Sequence, residues 1–256
     1  RTMMHLHMES FGQNNGPNLV LLHGWAMHIG IWHEDCVPLS RYFRLHLIDL
    51  PGHGDSTIDQ LGTLQHWVDS IGGLLPQRCF VVGWSLGGQI AIELALQYPQ
   101  QVQKLILVAT TPCFVKLDDW EFGAEPKLLE LFWENLKQNY KATIQRFLTL
   151  QMTGDRYAIQ NVQKIRKHFF ERKQPHAMGL EQGLKILQTS DLRSHISAIQ
   201  QPVLLLHGDN DVITHSQAAY WMQQQIARSR LVTFTHCGHA PFLSDPEQFV
   251  ACLSGF

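Results

Sequence analysis

The sequence Cys79-Phe80-Val81-Val82-Gly83-Trp84-Ser85-Leu86-Gly87-Gly88 carries an apolar, strand-like run through a glycine-rich turn into a helix-like segment that ends before Pro99. The pentapeptide Gly83 to Gly87 fits the pattern G-x-S-x-G, in which small residues permit a sharp turn and the serine projects above the sheet. Ser85 would stand at a helix N-terminus, where the helix dipole favours developing negative charge. The alternative is a glycine-rich turn that carries a serine incidentally.

Apolar runs similar to the one before Ser85 recur along the chain, and helix-like segments separate them. Most runs are continuous rather than alternating, which is typical of strands covered on both faces. They are residues 19–22, 45–48, 80–82, 105–108, 203–206 and 231–234. The pattern predicts an α/β fold with a mostly parallel central sheet flanked by helices. Residues 113–188 show helical periodicity without a convincing strand, so we predict a core of residues 1–112 and 189–256 with a helical insertion between them.

Composition excludes several classes of protein. The chain has 256 residues, of which 45% are hydrophobic and 16% charged, so it can bury a large core. A formal net charge of −2 gives no support to nucleic-acid binding. No apolar run approaches the roughly 18 residues of a membrane-spanning helix, and the first residues lack the apolar segment of a secretory signal. Five widely spaced cysteines without a C-x-x-C pair favour reduced thiols, so we expect a cytoplasmic protein.

A serine hydroxyl needs a general base before it can act as a nucleophile. Among 15 histidines, His239 lies in a loop between the last strand-like run and the last helix, from where it can reach the strand ends. His236 lies nearer the strand and is expected to be a surface or packing residue. The base needs a carboxylate to orient it, and Asp209 and Asp211 both follow the fifth strand-like run. We favour Asp211, which lies further into the turn that Asp209 would cap.

Two backbone N–H groups are candidates for stabilising an oxyanion. His23-Gly24-Trp25 follows the run 19–22, and a tight turn there can aim the N–H of Trp25 at the reacting oxygen. The N–H of Leu86, directly after the serine, would be the second donor.

The sequence resembles a known family at several points. Asp49-Leu50-Pro51-Gly52-His53-Gly54-Asp55-Ser56 is similar to the D-x-P-G-x-G-x-S segment of α/β-hydrolases. The order Ser85, Asp211, His239 is also the order of nucleophile, acid and base in that fold. Four segments, residues 20–25, 83–88, 146–151 and 239–242, resemble the pimeloyl-[acyl-carrier protein] methyl ester carboxylesterases of biotin synthesis.

The resemblance implies an activity, a site and a partner. It implies a monomeric serine carboxylesterase that needs no cofactor or metal and converts the methyl ester of pimeloyl-acyl carrier protein to methanol and a free carboxylate. Residues 113–188 would be a lid. The implied acyl site is lined by Phe147, Leu148, Thr149, Leu150 and Gln151, and we expect Trp84 and Met27 to complete an apolar slot.

Positive charge is concentrated in the predicted lid. Residues 137–173 contain nine Lys or Arg and two acidic residues, for a net charge of +7. One interpretation is an ordinary solvated helical face. The family resemblance favours a docking surface for an acidic acyl carrier protein, with Arg146, Arg156, Lys164 and Arg166 as the contacting bases.

Three other functions remain as alternatives at this stage. A generalist esterase or a C–C bond hydrolase would use the same three side chains. A hydrolase-fold ligand receptor would not need both the three side chains and the two oxyanion turns. The pairs His5-x-His7 and His236-x-x-His239 have no neighbouring set of ligands, so we expect no metal site.

Overall fold

The computed structural model describes residues 4–256 and contains a seven-stranded sheet. The strands are β1 (Met8–Gly12), β2 (Asn18–Leu22), β3 (Arg44–Ile48), β4 (Cys79–Trp84), β5 (Val102–Val108), β6 (Val203–Gly208) and β7 (Ser229–Phe234). Their order across the sheet is β1-β3-β2-β4-β5-β6-β7. β1 pairs antiparallel with β3, and the other neighbours pair in parallel. The predicted α/β fold is therefore confirmed.

Ten α-helices are assigned within the described residues. They are α1 (His33–Cys36), α2 (Leu64–Gly72), α3 (Leu86–Gln97), α4 (Pro126–Gln138), α5 (Tyr140–Gln151), α6 (Ala158–Phe170), α7 (Ala177–Thr189), α8 (Ser216–Gln225), α9 (Pro241–Ser244) and α10 (Pro246–Ser254). α3 packs on β4 and β5, and α8 packs on β6 and β7. Helices on the sheet explain why β6 is buried along its whole length, as its continuous apolar sequence predicts.

β1 is the strand that the sequence pattern does not reveal. Its five residues alternate between exposed and half-buried positions, because β1 lies at the sheet edge and pairs only with β3. A short edge strand of mixed polarity lacks the continuous apolar signal of the central strands.

The parallel pairing of β2 to β7 brings the six loops that follow these strands to one edge of the sheet. Leu22 of β2 pairs with Gly83 of β4, and Val108 of β5 pairs with Leu206 of β6. Gly208 of β6 pairs with Phe234 of β7. Since parallel strands all end on the same side, the loops that follow them meet there, which is where open α/β sheets bind ligands.

Helices α4 to α7 follow β5 and precede β6, and no strand of the described chain separates them. We call these four helices the helical insertion. α4 packs on α5, and α5 packs on α6. α6 also contacts α9 and the short 3-10 helix Ile29–Trp32, which joins the insertion to the core.

Candidate active site

The turn at Ser85 has the sharp geometry that its sequence predicts. Ser85 lies between β4 and α3 with a φ of 55° and a ψ of −116°, a strained conformation for a residue with a side chain. A Cβ atom on Gly83 would overlap the Gly87 backbone, and one on Gly87 would overlap Leu22. Thr110 braces the turn by donating its hydroxyl to the Ser85 carbonyl at 2.6 Å. The glycines are therefore required by close backbone approach.

His239 contacts Asp211 and not Asp209. Nδ1 of His239 lies 2.8 Å from Oδ2 of Asp211, and both side chains are almost completely buried. Because a carboxylate only accepts hydrogen bonds, Nδ1 carries the proton and Nε2 is left as the basic nitrogen. Asp209 instead accepts from the backbone N–H of Cys237 at 3.2 Å. His236 is exposed.

The Asp211 carboxylate is surrounded by donors. Its Oδ1 accepts from the backbone N–H groups of Ile213 and Thr214 at 2.8 and 2.9 Å. Its Oδ2 accepts from the Thr214 hydroxyl at 2.9 Å and lies 3.4 Å from Nε2 of His207. Burial alone would raise the pKa of Asp211, but the His239 and His207 imidazoles outweigh it and hold that pKa well below its usual range. The carboxylate is therefore ionised at neutral pH.

Sequence reasoning missed two residues around this carboxylate, His207 and Thr214. His207 stands at the end of β6 and continues its apolar run, which made it resemble a core position. Thr214 lies after the acid, where only the folded turn shows that its hydroxyl points back.

Backbone bonds fix the position of the base. The indole Nε1 of Trp84 donates to the His239 carbonyl at 2.9 Å, and the N–H of His239 donates to the carbonyl of Gln151 at 2.8 Å. The last residue of α5 therefore holds the loop of the base. Ser85 and His239 line one cavity, and within the described residues no hydrogen bond joins the Ser85 hydroxyl to the imidazole.

The turn after β2 lies against the turn of Ser85. A Cβ atom on Gly24 would stand 3.4 Å from Cβ of Ser85. The N–H of Met27 donates to the Gly24 carbonyl at 3.2 Å and closes a tight turn, in which Ala26 has a φ of 70°. Across the part of the chain that the structure describes, no backbone acceptor is recorded for the N–H of Trp25 or for that of Leu86, the first residue of α3, so both are available to an oxyanion.

Above Ser85 lies a cavity of about 240 Å³. Its walls are mainly apolar side chains of the helical insertion: Leu128, Leu129, Phe132, Phe147, Leu150, Leu184 and Leu187. Trp25 packs edge-on against Phe132 and Phe147, with ring centroids 5.5 and 5.3 Å apart. Three residues line the cavity and are also exposed to solvent, so they mark its mouth: Leu128, Leu150 and Val212. The cavity suits an apolar chain that ends at Ser85.

Only part of the predicted acyl-lining set reaches this cavity. Phe147, Leu150 and Gln151 line it, whereas Leu148 is buried in the core and Thr149 is exposed with its hydroxyl on the Gln145 carbonyl. α5 has 3.6 residues per turn, so positions 147, 150 and 151 share one face and the two between them point elsewhere. The prediction for Leu148 and Thr149 is therefore wrong.

Trp84 lines the cavity, but Met27 does not. Met27 follows the left-handed residue Ala26, and its side chain is buried in the hydrophobic core. Its closeness in sequence to the oxyanion turn made it a candidate, and the direction of the turn excludes it.

The four bases predicted to face a carrier protein differ in their surroundings. Arg146, Arg156 and Arg166 are exposed and form no ion pair with another described residue. Lys164 is half-buried and pairs with Asp35 of the core at 2.8 Å. Its ammonium group already has a partner within the fold, so it is less available to a carrier protein than the three arginines.

Other lid bases are also paired with acids. Arg172 pairs with Glu9 at 3.3 Å, and Lys173 pairs with Asp55 at 3.3 Å. Together with Lys164, they join α6 and the segment after it to the core. Part of the positive charge counted in the sequence therefore serves to hold the insertion in place.

One group of side chains has the spacing of a cation site. Ligand atoms of His7, Asp49 and Asp55 lie within 4.8 Å of one another. The carboxylate of Asp49 already accepts from the N–H groups of Ile29 and Asp55, at 2.8 and 3.1 Å. The acidic oxygens thus have partners in the fold. Within residues 4–256, no helix combines the length and hydropathy needed to cross a bilayer.

Comparison with known proteins agrees with this geometry. Residues 17–246 match the family model described as alpha/beta hydrolase fold. The chain is 54% identical to the pimeloyl-[acyl-carrier protein] methyl ester esterase of Nitrosomonas europaea, covering 98% of this chain and 99% of that one. It is 37% identical to the esterase of the same name from Aeromonas hydrophila, covering 99% of each chain. The chain belongs to the pimeloyl-[acyl-carrier protein] methyl ester esterase family of α/β-hydrolases.

Solved structures show the same fold. An esterase from Exiguobacterium antarcticum superposes with a TM-score of 0.89 at 24% identity, covering 98% of this chain and 95% of that one. An enol-lactonase from Burkholderia xenovorans superposes with a TM-score of 0.85 at 18% identity, covering 98% and 96%. The family resemblance read from the sequence is confirmed, and the chain is a carboxylic ester hydrolase.

Proposed function

We propose that this chain hydrolyses the methyl ester of pimeloyl-acyl carrier protein, releasing methanol and leaving a free carboxylate on the carried chain. The observation that carries the substrate is full-length identity of 54% to an esterase of that name. The buried His239–Asp211 pair beside Ser85 supports the chemistry. A generalist esterase, a C–C bond hydrolase and a ligand receptor are not favoured by this match.

Catalysis would proceed through an acyl-enzyme. The Ser85 hydroxyl attacks the ester carbonyl and gives its proton to Nε2 of His239, while Asp211 stabilises the imidazolium. The N–H groups of Trp25 and Leu86 hold the negative oxygen. When the C–O bond breaks, the imidazolium returns its proton to the departing methoxide. A water molecule, deprotonated by His239, then hydrolyses the acyl-enzyme.

The cavity explains how a methyl ester and its product would be distinguished. Each methylene of the pimeloyl chain buried against Phe147 and Leu150 contributes about 0.8 kcal/mol of transfer free energy. The neutral ester enters such a cavity readily. The product carboxylate is charged and would lose its hydration among apolar walls, which disfavours its retention. The same cavity therefore favours substrate entry and product release.

The carrier protein would dock beside the cavity mouth. Arg146 lies one helical turn before Leu150, which marks the mouth of the cavity. An acidic residue of the carrier protein that pairs with Arg146 would therefore lie next to the entering acyl chain. Arg156 is exposed a few residues beyond α5. Arg166 lies on α6, which contributes no residue to the cavity. We therefore assign docking to Arg146 and Arg156, with Arg166 contributing long-range attraction. We further propose that the enzyme acts in the cytoplasm as a monomer, without nucleic acid.

The decisive experiment uses purified enzyme and pimeloyl-acyl carrier protein methyl ester. Mass spectrometry of the carrier should show loss of one methylene unit as the ester becomes the acid, and Ser85→Ala should abolish this change while the fold is kept. A small chromogenic ester, assayed in parallel, reports the chemistry alone. Turnover of the small ester without turnover of the carrier ester would refute the proposed substrate. Full activity of Ser85→Ala would refute the mechanism.

A further inference from the structure

The segment 49–56 is part of the fold signature, yet it contributes no residue to the cavity or to the Asp211–His239 pair. It lies against the turn that presents the Trp25 N–H. Two hydrogen bonds cross between them. The N–H of Ala26 donates to Nε2 of His53 at 3.0 Å, and the N–H of Leu50 donates to Nε2 of His23 at 3.0 Å. Each loop therefore supplies the imidazole that accepts from the backbone of the other.

Both imidazoles are held as neutral acceptors. Nδ1 of His23 donates to the Gly24 carbonyl at 2.7 Å, and Nδ1 of His53 donates to the Pro51 carbonyl at 2.9 Å. With Nδ1 protonated, Nε2 keeps its lone pair for the backbone N–H. Both rings are completely buried, with centroids 5.4 Å apart.

The surroundings preserve this neutral state. Burial lowers the pKa of His53 to about 4 and also lowers the pKa of His23. His28 is the other titratable group that acts on both rings. Asp49, at the start of the segment, directs its carboxylate to the backbone of Ile29 and Asp55.

The hydrogen bond from Ala26 to His53 fixes the orientation of the Trp25–Ala26 peptide, which is the peptide of this turn that can reverse most easily. Met27 N–H to Gly24 carbonyl closes a four-residue turn, and the φ of 70° at Ala26 is that of a type II turn. Alanine is strained there, and rotating the Trp25–Ala26 peptide would give a type I turn that alanine tolerates. That rotation would remove the Ala26 N–H from Nε2 of His53 and leave it buried without a partner.

The segment that carries His53 is itself anchored. The Gly52 N–H donates to the Thr57 carbonyl at 2.9 Å, and the Gly52 carbonyl accepts from the His176 N–H at 2.8 Å. A Cβ atom on Gly52 would stand 2.6 Å from Cα of Gly179 in α7, so glycine is needed for this close approach. The segment that carries His53 is therefore fixed by contacts with both the core and the helical insertion.

We infer that His53 and His23 are positioning residues that hold the oxyanion turn in its strained conformation, through the crossed bonds to Ala26 and Leu50. Neither touches the reacting atoms. The Trp25–Ala26 peptide that His53 holds adjoins the Gly24–Trp25 peptide, whose N–H must be in place before the ester carbonyl becomes an oxyanion. The inference rests on the proposed function, since it assigns these histidines to the oxyanion site of that mechanism.

A matched pair of variants separates positioning from packing. In His53→Gln, the side-chain oxygen reaches the position of Nε2 and can accept from Ala26. In His53→Asn, the shorter amide can replace only Nδ1, so the Ala26 N–H loses its acceptor. His28→Asn is the control, because His28 is also buried, accepting from Gly30 and donating to Phe169, but does not bond to the turn.

The readouts are kcat and KM for a small ester, and the affinity for an alkyl trifluoromethyl ketone, whose serine adduct carries an oxyanion. Loss of a whole oxyanion donor costs about 100- to 1,000-fold in kcat, so a misplaced one should cost about 10- to 100-fold in His53→Asn. KM should stay within about twofold, and ketone affinity should fall by the same factor as kcat. His53→Gln should recover most of the loss, and His28→Asn should lower stability with kcat kept.

Two results would overturn the inference: a folded His53→Asn with wild-type kcat, or equal kcat losses in His53→Asn and His28→Asn. If the variants at position 53 do not fold, His23→Asn and His23→Gln make the same comparison on the other crossed bond. Failure of the underlying mechanism is distinguishable, because it would appear as activity in Ser85→Ala, whereas failure of this inference leaves dependence on Ser85 intact.

Discussion

Replacing Asp211 by asparagine should inactivate the enzyme by changing which nitrogen of His239 carries the proton. The new amide keeps its oxygen toward the N–H groups of Ile213 and Thr214, which donate at 2.8 and 2.9 Å. Its NH2 group then faces Nδ1 of His239, now 2.8 Å from Oδ2 of Asp211. Nδ1 must become the acceptor, so the proton moves to Nε2. Nε2 can then no longer accept the proton of Ser85.

The reversed orientation of the asparagine amide at position 211 is energetically unfavourable. It would direct the NH2 group at the two backbone donors, and each buried donor left without a partner costs about 1–3 kcal/mol. With the wrong tautomer enforced, we expect Asp211→Asn to lower kcat by about 10³- to 10⁴-fold, which is about 4–5.5 kcal/mol of transition-state stabilisation.

Asp209→Asn is the matched control. Asp209 is exposed, and its oxygen accepts from the Cys237 N–H at 3.2 Å, a role that an amide oxygen can keep. Its kcat should stay within about twofold of wild type. Both variants would be assayed with a small chromogenic ester, and thermal unfolding would establish that they fold. Equal losses in kcat would refute the assignment of Asp211, and so would an Asp211→Asn enzyme with substantial activity.

Three further predictions concern the acyl chain, the carrier protein and stability at low pH. Phe147→Ala should raise KM for a pimeloyl ester about 5- to 30-fold more than for an acetyl ester, because about 1–2 kcal/mol of apolar contact is lost. The control Thr149→Ala should leave both KM values unchanged. Equal KM changes for the two esters in Phe147→Ala would make Phe147 a packing residue. Reversing Arg146 and Arg156 to glutamate should slow hydrolysis of the carrier ester at low salt but not of a small ester, because surface attraction is collective and screened; an unchanged ratio of the two rates would exclude docking there. Burial lowers the pKa of His53 from its ordinary 6.5 to about 4 in the folded chain. Below about pH 6.5 the unfolded chain therefore binds more protons than the folded chain, so His53 should lower the free energy of unfolding by about 3 kcal/mol between about pH 6.5 and pH 4. Urea titrations across that range should show a smaller decrease in His53→Gln than in wild type. The same pH dependence in both proteins would contradict the lowered pKa of His53.

Much of the catalytic arrangement could be predicted from the sequence because local signals encode it. A continuous apolar run, a turn that requires Gly83 and Gly87, and a helix that ends before Pro99 each depend on residues close together in the chain. Once the strands are parallel, the loops after them must share one edge, so Ser85 and His239 are expected to meet. The choice of Asp211 over Asp209 likewise followed from its place within the turn.

The parts that sequence could not supply are those set by contacts between distant segments. In the sequence, Lys164 is one base in a positive run, but packing places it against Asp35, 129 residues away. Helical rotation of α5, fixed by how it packs, decided that Phe147 lines the cavity and Leu148 does not.

By itself the sequence determined the α/β class, the Ser85 turn, the candidate base and acid, and the family to which the chain belongs, because these are written in short segments with a fixed local geometry. Only the tertiary structure decided which lid charges are already paired and which side chains reach the cavity. It also showed that His53 accepts from Ala26 across 27 residues of chain. Such a bond depends on two loops being packed together, and no local pattern specifies the distance between them.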